Sequence, residues 1–150
     1  MTTHFSYLAP DVQQELRKIA EAMVAPGKGI LATDDTLESM GGRLQSVGLE
    51  NSADNRRRYR QMLFTTDPEI GNYVSAVILS TDSVHQIADD GTTFVDLLQK
   101  RNIIPGINVD KGLVPLAGSE DECTTQGILS ILLLAAPRRY LTSQLIWRVG

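Results

Sequence analysis

The chain has 150 residues, 42% of them hydrophobic, and its formal charge of −4 corresponds to a pI near 5.1. This composition is typical of one globular domain, and the acidic balance does not favour a nucleic-acid partner. The longest nearly apolar run, 128–136, is far shorter than the roughly 20 residues that span a bilayer, so we expect no membrane contact. A single cysteine excludes an internal disulfide, and the N-terminus lacks the features of a signal peptide, which predicts a cytoplasmic protein.

The hydrophobic pattern of the first half predicts helices on both sides of one strand. Apolar residues recur at helical spacing over 10–23, and a short apolar run bounded by turn residues predicts a strand over 29–33. Helical spacing returns over 37–48, where Gly48 suits a helix end, and again over 51–64.

The second half continues the alternation of helices and strands. The expected elements are a strand over 74–79, helical character from Asp82 to a turn at 89–91, a helix over 93–98, and a strand over 103–109 that Pro105-Gly106 breaks. Such alternation predicts βαβ units and a parallel sheet. A doubly wound domain closes within this length, whereas a (β/α)8 barrel needs about 250 residues. No glycine-rich nucleotide motif follows a predicted strand.

Two carboxylates, Asp34 and Asp35, follow the first predicted strand directly. Side chains alternate along a strand, so Ile30, Ala32 and Asp34 share one face. A carboxylate at the C-terminal end of a strand lies where α/β enzymes hold catalytic groups. The alternative is that Asp34 and Asp35 cap the next helix, and the residues alone leave both interpretations open.

Polar groups recur at the end of the third predicted strand and on the helix after the first. Asn108 and Asp110 alternate at the end of the third strand, and Lys111 follows. An acid pair, an amide and a lysine at neighbouring strand ends suit proton transfer, carbonyl chemistry or anion binding. Ser39 and Arg43 share one helix face, where a hydroxyl and a guanidinium can hold a phosphate together. The alternatives are a solvated loop pair for Asp110-Lys111 and an exposed helix residue for Arg43.

The basic cluster 56–58, with Arg60 close by, is interpreted as a solvated helix face, with a phosphate or acidic partner as the alternative. His4 and His85 stand far apart without further ligands at suitable spacing, so we expect no metal site. Neither Ser39 nor Cys123 has the sequence context of a catalytic nucleophile.

Many short segments between about residues 5 and 127 resemble class I fructose-bisphosphate aldolases of animals, in order and without gaps. They are 27–32, 43–48, Glu50-Asn51, 55–57, 59–61, 88–91, 109–112, 114–118 and 124–127. The resemblance implies a cytosolic glycolytic (β/α)8-barrel enzyme, usually a homotetramer. It would cleave fructose 1,6-bisphosphate into two triose phosphates through a lysine Schiff base, with no metal or other cofactor. The expected fold is therefore α/β, the first βα units of an incomplete TIM barrel.

The resemblance also assigns roles to individual residues. It implies that Asp34 is catalytic and assists proton transfer around carbinolamine formation and carbon–carbon cleavage. It places Ser39 and Arg43 on a substrate phosphate and links Arg56 to substrate binding. Thr36 stands where the family usually has serine, and it keeps the hydroxyl.

Several positions depart from the family pattern. Asn108 and Ile146 stand where active-site lysines are expected, Gly42 replaces a basic residue, and Lys111 matches a lysine that does not form the imine. The segment Ile146-Trp147-Arg148 resembles a Lys-Trp-Arg segment in the fourth strand of the family. The segment 128–150 is expected to be a divergent apolar tail of one partial barrel domain covering 1–150. The Schiff-base lysine has no counterpart in this sequence.

Two functions follow from these observations. The first is fructose-bisphosphate aldolase by family, with a truncated chain that is inactive alone. The second is a non-catalytic protein that binds phosphate or joins a full-length aldolase subunit as a homo- or hetero-oligomer.

Overall fold

A computed structural model describes residues 9–126 and the backbone of 146–148. Its helices are α1 Pro10–Met23, α2 Leu37–Ser46, α3 Ala53–Thr65, α4 Ile70–Tyr73 and α5 Phe94–Gln99, with a 3-10 turn at Ser83–His85. Its strands are β1 Gly29–Ala32, β2 Val74–Leu79, β3 Ile104–Asn108, β4 Leu113–Pro115, β5 Cys123–Thr125 and β6 Ile146–Arg148. Within these ranges, none of the helices has the length and hydrophobicity of a transmembrane segment.

The main sheet is parallel and has the strand order β1-β2-β3-β6. Ala32 pairs with Ile78, and Ile78 pairs with Gly106. Gly106 in turn lies opposite Ile146 in β6. Because the strands are parallel and in chain order, all their C-terminal ends meet at one edge of the sheet. The strands β4 and β5 form a separate antiparallel hairpin.

Side-chain hydroxyls begin three of the helices. Thr36, Ser52 and Thr93 each have extended backbone angles and accept a hydrogen bond from the backbone N–H three residues later. These caps satisfy donors that the first helical turn leaves free. The capping alternative for Asp34 and Asp35 is therefore wrong, since the Thr36 hydroxyl caps α2.

The two faces of the sheet differ in burial. One face packs on the helices through a core that includes Val77, Leu79 and Ile107. On the other face Ile30 is 46% exposed, and Ala32 is also exposed. The alternation predicted for the first strand is confirmed, because its core-facing neighbour Thr33 is only 1% exposed.

Four local expectations were wrong or incomplete. Pro105 and Gly106 do not break β3, since both pair with β2, and pairing with β6 begins only at Gly106. Pro105 thus lies near the strand start, where the loss of one N–H is tolerated. The expected helical segment after Asp82 is only a 3-10 turn. The short helix α4 and the β4–β5 hairpin were not predicted.

Candidate functional site

The side chains of Asp34 and Asn108 meet at the C-terminal edge of the sheet. The Asn108 Nδ2 donates to the Asp34 Oδ2 at 2.8 Å. Their strands are not neighbours, because β2 lies between them. Strands two apart are separated by roughly 10 Å, so the side chains reach across β2 on one face of the sheet. The expected grouping of polar residues at the strand ends is confirmed for this pair.

A buried arginine supports the turn that carries Asp34. Thr33 donates from its backbone N and its Oγ1 to the carbonyl of Ile78, at 2.9 and 2.7 Å. The carbonyl of Thr33 accepts from Arg60 Nε at 3.2 Å, and Arg60 is 4% exposed. Burial lowers the pKa of Arg60 and Arg56 lowers it further, whereas nearby carboxylates, Asp35 foremost, raise it.

The position of Arg60 corrects one expectation. This residue does not belong to a solvated helix face, because its side chain lies in the interior and holds the β1 turn. Sequence reasoning missed it as a site residue, since a run of arginines on a polar helix gives no sign that one of them is buried. Its spacing from Phe64, the other buried residue of α3, was the available signal.

Two polar side chains of α2, those of Ser39 and Arg43, contact the carboxylate of Asp35. Arg43 Nη2 lies 3.2 Å from Asp35 Oδ1, and Arg43 Nη1 donates to the Tyr59 hydroxyl at 3.3 Å. Ser39 Oγ donates to the same Asp35 oxygen at a long 3.4 Å. The hydrogen bond to Tyr59 and the charge of Asp35 raise the pKa of Arg43. Ser39 and Arg43 thus contact the same oxygen atom, as their spacing predicted, and that oxygen belongs to Asp35.

Arg56 lies apart from this group. Its Nη1 donates to the carbonyl and to the Oδ1 of Asn51, both at 2.9 Å. Asn51 Nδ2 donates in turn to the carbonyl of Leu37, so Arg56 braces the start of α2 against α3. Within the described residues, Arg56 has no hydrogen bond to Asp34 or Arg43.

The residues after β3 form a tight polar turn. Asp110 N donates to Asn108 Oδ1 at 3.1 Å, and Asp110 Oδ1 accepts from Gly112 N at 2.9 Å. The Lys111 side chain is exposed, while its backbone N donates to Gln126. Asn108 therefore uses its oxygen on this turn and its amide N–H on Asp34, which fixes the side chain between the two.

No group of three or more His, Cys, Asp and Glu residues in the described part of the chain is placed to hold a metal ion. The chemical content of the edge is instead a carboxylate with an amide donor, and an arginine with a serine and a second carboxylate. Such a set can move a proton and bind an oxyanion.

A match to a family model shows which protein family the chain belongs to. The model of the class I fructose-bisphosphate aldolases matches residues 15–137, most of the chain. The chain belongs to this family. The matched range extends past Gly127, where the resemblance seen in the sequence ends.

Individual aldolases agree with the family model. The chain is 58% identical to a fructose-bisphosphate aldolase of Drosophila melanogaster over 85% of its own length and 36% of the relative. It is 54% identical to one of Schistosoma mansoni over 81% of its length and 34% of the relative. The chain thus spans about a third of the length of the curated aldolases that it matches.

A solved aldolase shows the same arrangement of elements. The Plasmodium falciparum fructose-bisphosphate aldolase, solved in complex with TRAP and a small-molecule inhibitor, is 36% identical with a TM-score of 0.80. The match covers 96% of this chain and 42% of that one. The fold is therefore part of an aldolase TIM barrel, as expected from the sequence.

The position of β6 agrees with the resemblance to the aldolase family. The sequence Ile146-Trp147-Arg148 forms the strand next to β3, with Ile146 opposite Gly106 and Arg148 opposite Asn108. The family resemblance placed this segment in the fourth strand, and the pairing confirms that placement. The predicted tail 128–150 lies outside the described residues except for this strand, so its character stays a prediction.

Proposed function

We propose that this chain supplies the first part of a class I aldolase active site, with Asp34 as the catalytic acid–base residue and Ser39 and Arg43 as ligands of a substrate phosphate. The substrate class is a sugar bisphosphate, fructose 1,6-bisphosphate, cleaved in cytoplasmic glycolysis through a lysine Schiff base. The observation that carries the proposal is the contact between Asp34 and Asn108, with the Asp35–Arg43 pair on the same β1–α2 connection.

The proton-transfer role rests on the surroundings of Asp34. The residue is half-buried at the strand ends, and its Oδ2 accepts from an amide that cannot take its proton. A carboxylate held in this way can pass a proton to and from a hydroxyl at the same edge. Thr33 and Arg60 keep the turn in place behind it.

The phosphate-binding role requires an exchange of partners at Arg43. The Arg43 side chain is 56% exposed, and its guanidinium is paired with Asp35 at 3.2 Å. A phosphate dianion offers it a bidentate acceptor, which an arginine fork matches better than a single carboxylate oxygen does. The Ser39 hydroxyl is held by a long bond and is available for the same ligand. Thr36 and Arg56 belong to the proposed site more weakly, because both already cap or brace α2 and α3.

The 150 residues do not, in our proposal, cleave the substrate alone. Imine formation needs a lysine near the reacting carbonyl, and the lysines of the chain are Lys18, Lys28, Lys100 and Lys111. Lys28 donates to Gly71 before β2, and Lys100 ends α5 before β3, so both lie at the opposite edge of the sheet. Lys18 lies on α1, before β1. Lys111 alone follows a strand end.

Borohydride trapping with dihydroxyacetone phosphate tests this proposal. The trapped ketose phosphate adds a defined mass to a lysine that forms an imine, and intact-mass analysis detects it. We expect no stable adduct on the 150-residue chain and the same result for Lys111→Arg. An adduct on wild type that Lys111→Arg removes would show that this chain forms the intermediate by itself.

A second function is favoured by the exposed face of the sheet, the face opposite the helices. Ile30 is 46% exposed there, and β1 pairs with β2 alone within the described residues. Apolar strand surface and a free strand edge are typical sites of association. A chain that joins a full-length aldolase subunit, or a second copy of itself, would cover both. Light scattering after gel filtration tests this, and a monodisperse monomer with a cooperative thermal transition would contradict it.

A further inference from the structure

A basic cavity lies at the opposite edge of the sheet from Asp34. It has a volume of about 390 Å³ and opens among segments that precede β1, β2 and β3. Its lining residues are Lys28, Pro68, Gly71, Asn72, Lys100, Arg101 and Asn102. This volume falls in the range of small-ligand sites.

The lining carries three cations from two connections and no carboxylate. Lys28 comes from the turn before β1, while Lys100 and Arg101 come from the connection between α5 and β3. The side-chain amides of Asn72 and Asn102 add neutral donors. A cation after α5 is favourable for the helix dipole, but that effect does not account for Lys28, which lies on another segment.

Close packing of the backbone builds this cavity. A Cβ placed on Gly71 would lie 2.0 Å from the carbonyl oxygen of Arg101, so α4 and the α5–β3 connection are in direct contact. Lys28 Nζ donates to the carbonyl of Gly71 at 2.5 Å, which joins the third segment to the same point. The three segments that line the cavity therefore meet at Gly71, and this contact fixes their backbones relative to one another.

One donor in the lining lacks an acceptor. The Nε of Arg101 is buried and has no hydrogen-bond partner among the described residues. Buried N–H groups of charged side chains are normally satisfied, and one without a partner calls for an explanation. An oxyanion in the cavity would supply acceptors to the guanidinium of Arg101, which lines it.

We propose that this cavity is a second anion site, which binds a phosphate group at the amino ends of the strands, independently of the proposed substrate site. Lys100 and Arg101 would contact the anion directly. Lys28 would add charge while it keeps its bond to Gly71. The ligand class is a phosphate monoester or inorganic phosphate, because a compact dianion matches a cavity lined by three cations and no carboxylate.

Titration with inorganic phosphate, followed through the backbone amide signals of Gly71, Asn72 and Asn102, tests this site. The Arg43→Ala chain is used so that the proposed substrate site does not contribute. In that background we expect the double change Lys100→Gln and Arg101→Gln to weaken binding at least tenfold. The matched control, Lys18→Gln with Arg58→Gln, removes the same charges from exposed positions elsewhere and should leave binding within twofold.

The outcomes separate the two sites. Binding that survives Arg43→Ala and is lost with Lys100 and Arg101 supports the cavity, whatever the result of the borohydride experiment. Equal losses in the test and control pairs would show only a general effect of net charge and overturn the proposal. Signals that stay unchanged at the three reporter amides would also overturn it. Glucose 6-phosphate and sulfate, titrated in parallel, distinguish a phosphate-ester site from one for any small dianion.

Discussion

The amide of Asn108 donates a 2.8 Å hydrogen bond to the carboxylate of Asp34, 74 residues earlier in the chain. This bond joins the ends of β3 and β1 over the intervening strand β2. Asn108 stands where the family resemblance implies a lysine. An amide can hold the carboxylate in place, but it brings no positive charge to stabilise a developing oxyanion.

Restoring a lysine at this position should strengthen the proposed substrate site. In Asn108→Lys, the ammonium can pair with Asp34 and attract phosphate, so we expect fructose 1,6-bisphosphate to bind severalfold more tightly by calorimetry. Asn108→Leu removes the donor and should lower the free energy of unfolding by about 1 kcal/mol. Gln14→Lys on α1 adds the same charge at an exposed, distant position as a control. Equal gains in both lysine variants would mean that only net charge matters.

Two glycines offer a matched test of packing. A Cβ at Gly71 would meet the Arg101 carbonyl at 2.0 Å, whereas a Cβ at Gly42 would meet nothing within 4 Å. Gly71→Ala should therefore destabilise the fold by about 2 kcal/mol through forced backbone displacement. Gly42→Ala, inside α2, should stabilise it by about 0.5–1 kcal/mol through helix propensity. Urea unfolding measures both, and a loss of stability in Gly42→Ala would contradict this account.

The hydrogen bonds that join α3 to Asp89, in the turn after the 3-10 helix, should weaken in acid. Hydrogen bonds from Gln61 and Arg57 lower the pKa of Asp89 below its usual value of 3.8. A carboxyl with a lowered pKa in the folded state stabilises the fold above its unfolded pKa. That contribution is lost as the pH falls through the folded value.

The measurement is thermal unfolding of wild type and Asp89→Asn from pH 7 to pH 2. We expect the wild type to be more stable above about pH 4 and the two stabilities to converge below it. Asp121→Asn, an exposed carboxylate in the loop before β5, is the control and should follow the wild type. A constant difference over the whole range would show that the effect of Asp89 is not its ionisation.

The sequence predicted those elements that contain a full apolar run or several turns of helical periodicity. The apolar run of β2 gave its bounds correctly, and the periodicity of α2 and α3 gave theirs within a few residues. The helix α4 is one turn long, and the strands β4 and β5 have three residues each, so neither provides a full period to recognise.

The site was predictable where position along a strand or spacing on one helix face decides it. Asp34 and Asn108 lie at strand ends, and parallel strands bring such ends together. Arg60 was not recognised as a site residue: its spacing from Phe64 could have indicated burial, but its acceptor, the backbone carbonyl of Thr33, belongs to another element. The competition between Asp35 and a phosphate for Arg43 likewise depends on a distance that no local pattern encodes.

The Arg43–Asp35 pair leads to the most direct test of the proposed substrate site. In wild type, a sugar phosphate must displace Asp35 from a guanidinium that also donates to Tyr59. We expect binding in the millimolar range, about −4 kcal/mol, and Arg43→Ala should abolish it. Asp35→Asn removes the competing charge and leaves Arg43 in place, so it should tighten binding severalfold.

The comparison of these two variants decides what Arg43 does. Calorimetry with fructose 1,6-bisphosphate, with Arg58→Ala as an exposed arginine control on α3, measures all four chains under one salt concentration. Loss in Arg43→Ala together with gain in Asp35→Asn means that Arg43 binds the phosphate and Asp35 competes with it. If Asp35→Asn weakens binding as much as Arg43→Ala does, the ion pair serves to hold α2 in place, and Arg43 leaves the proposed site.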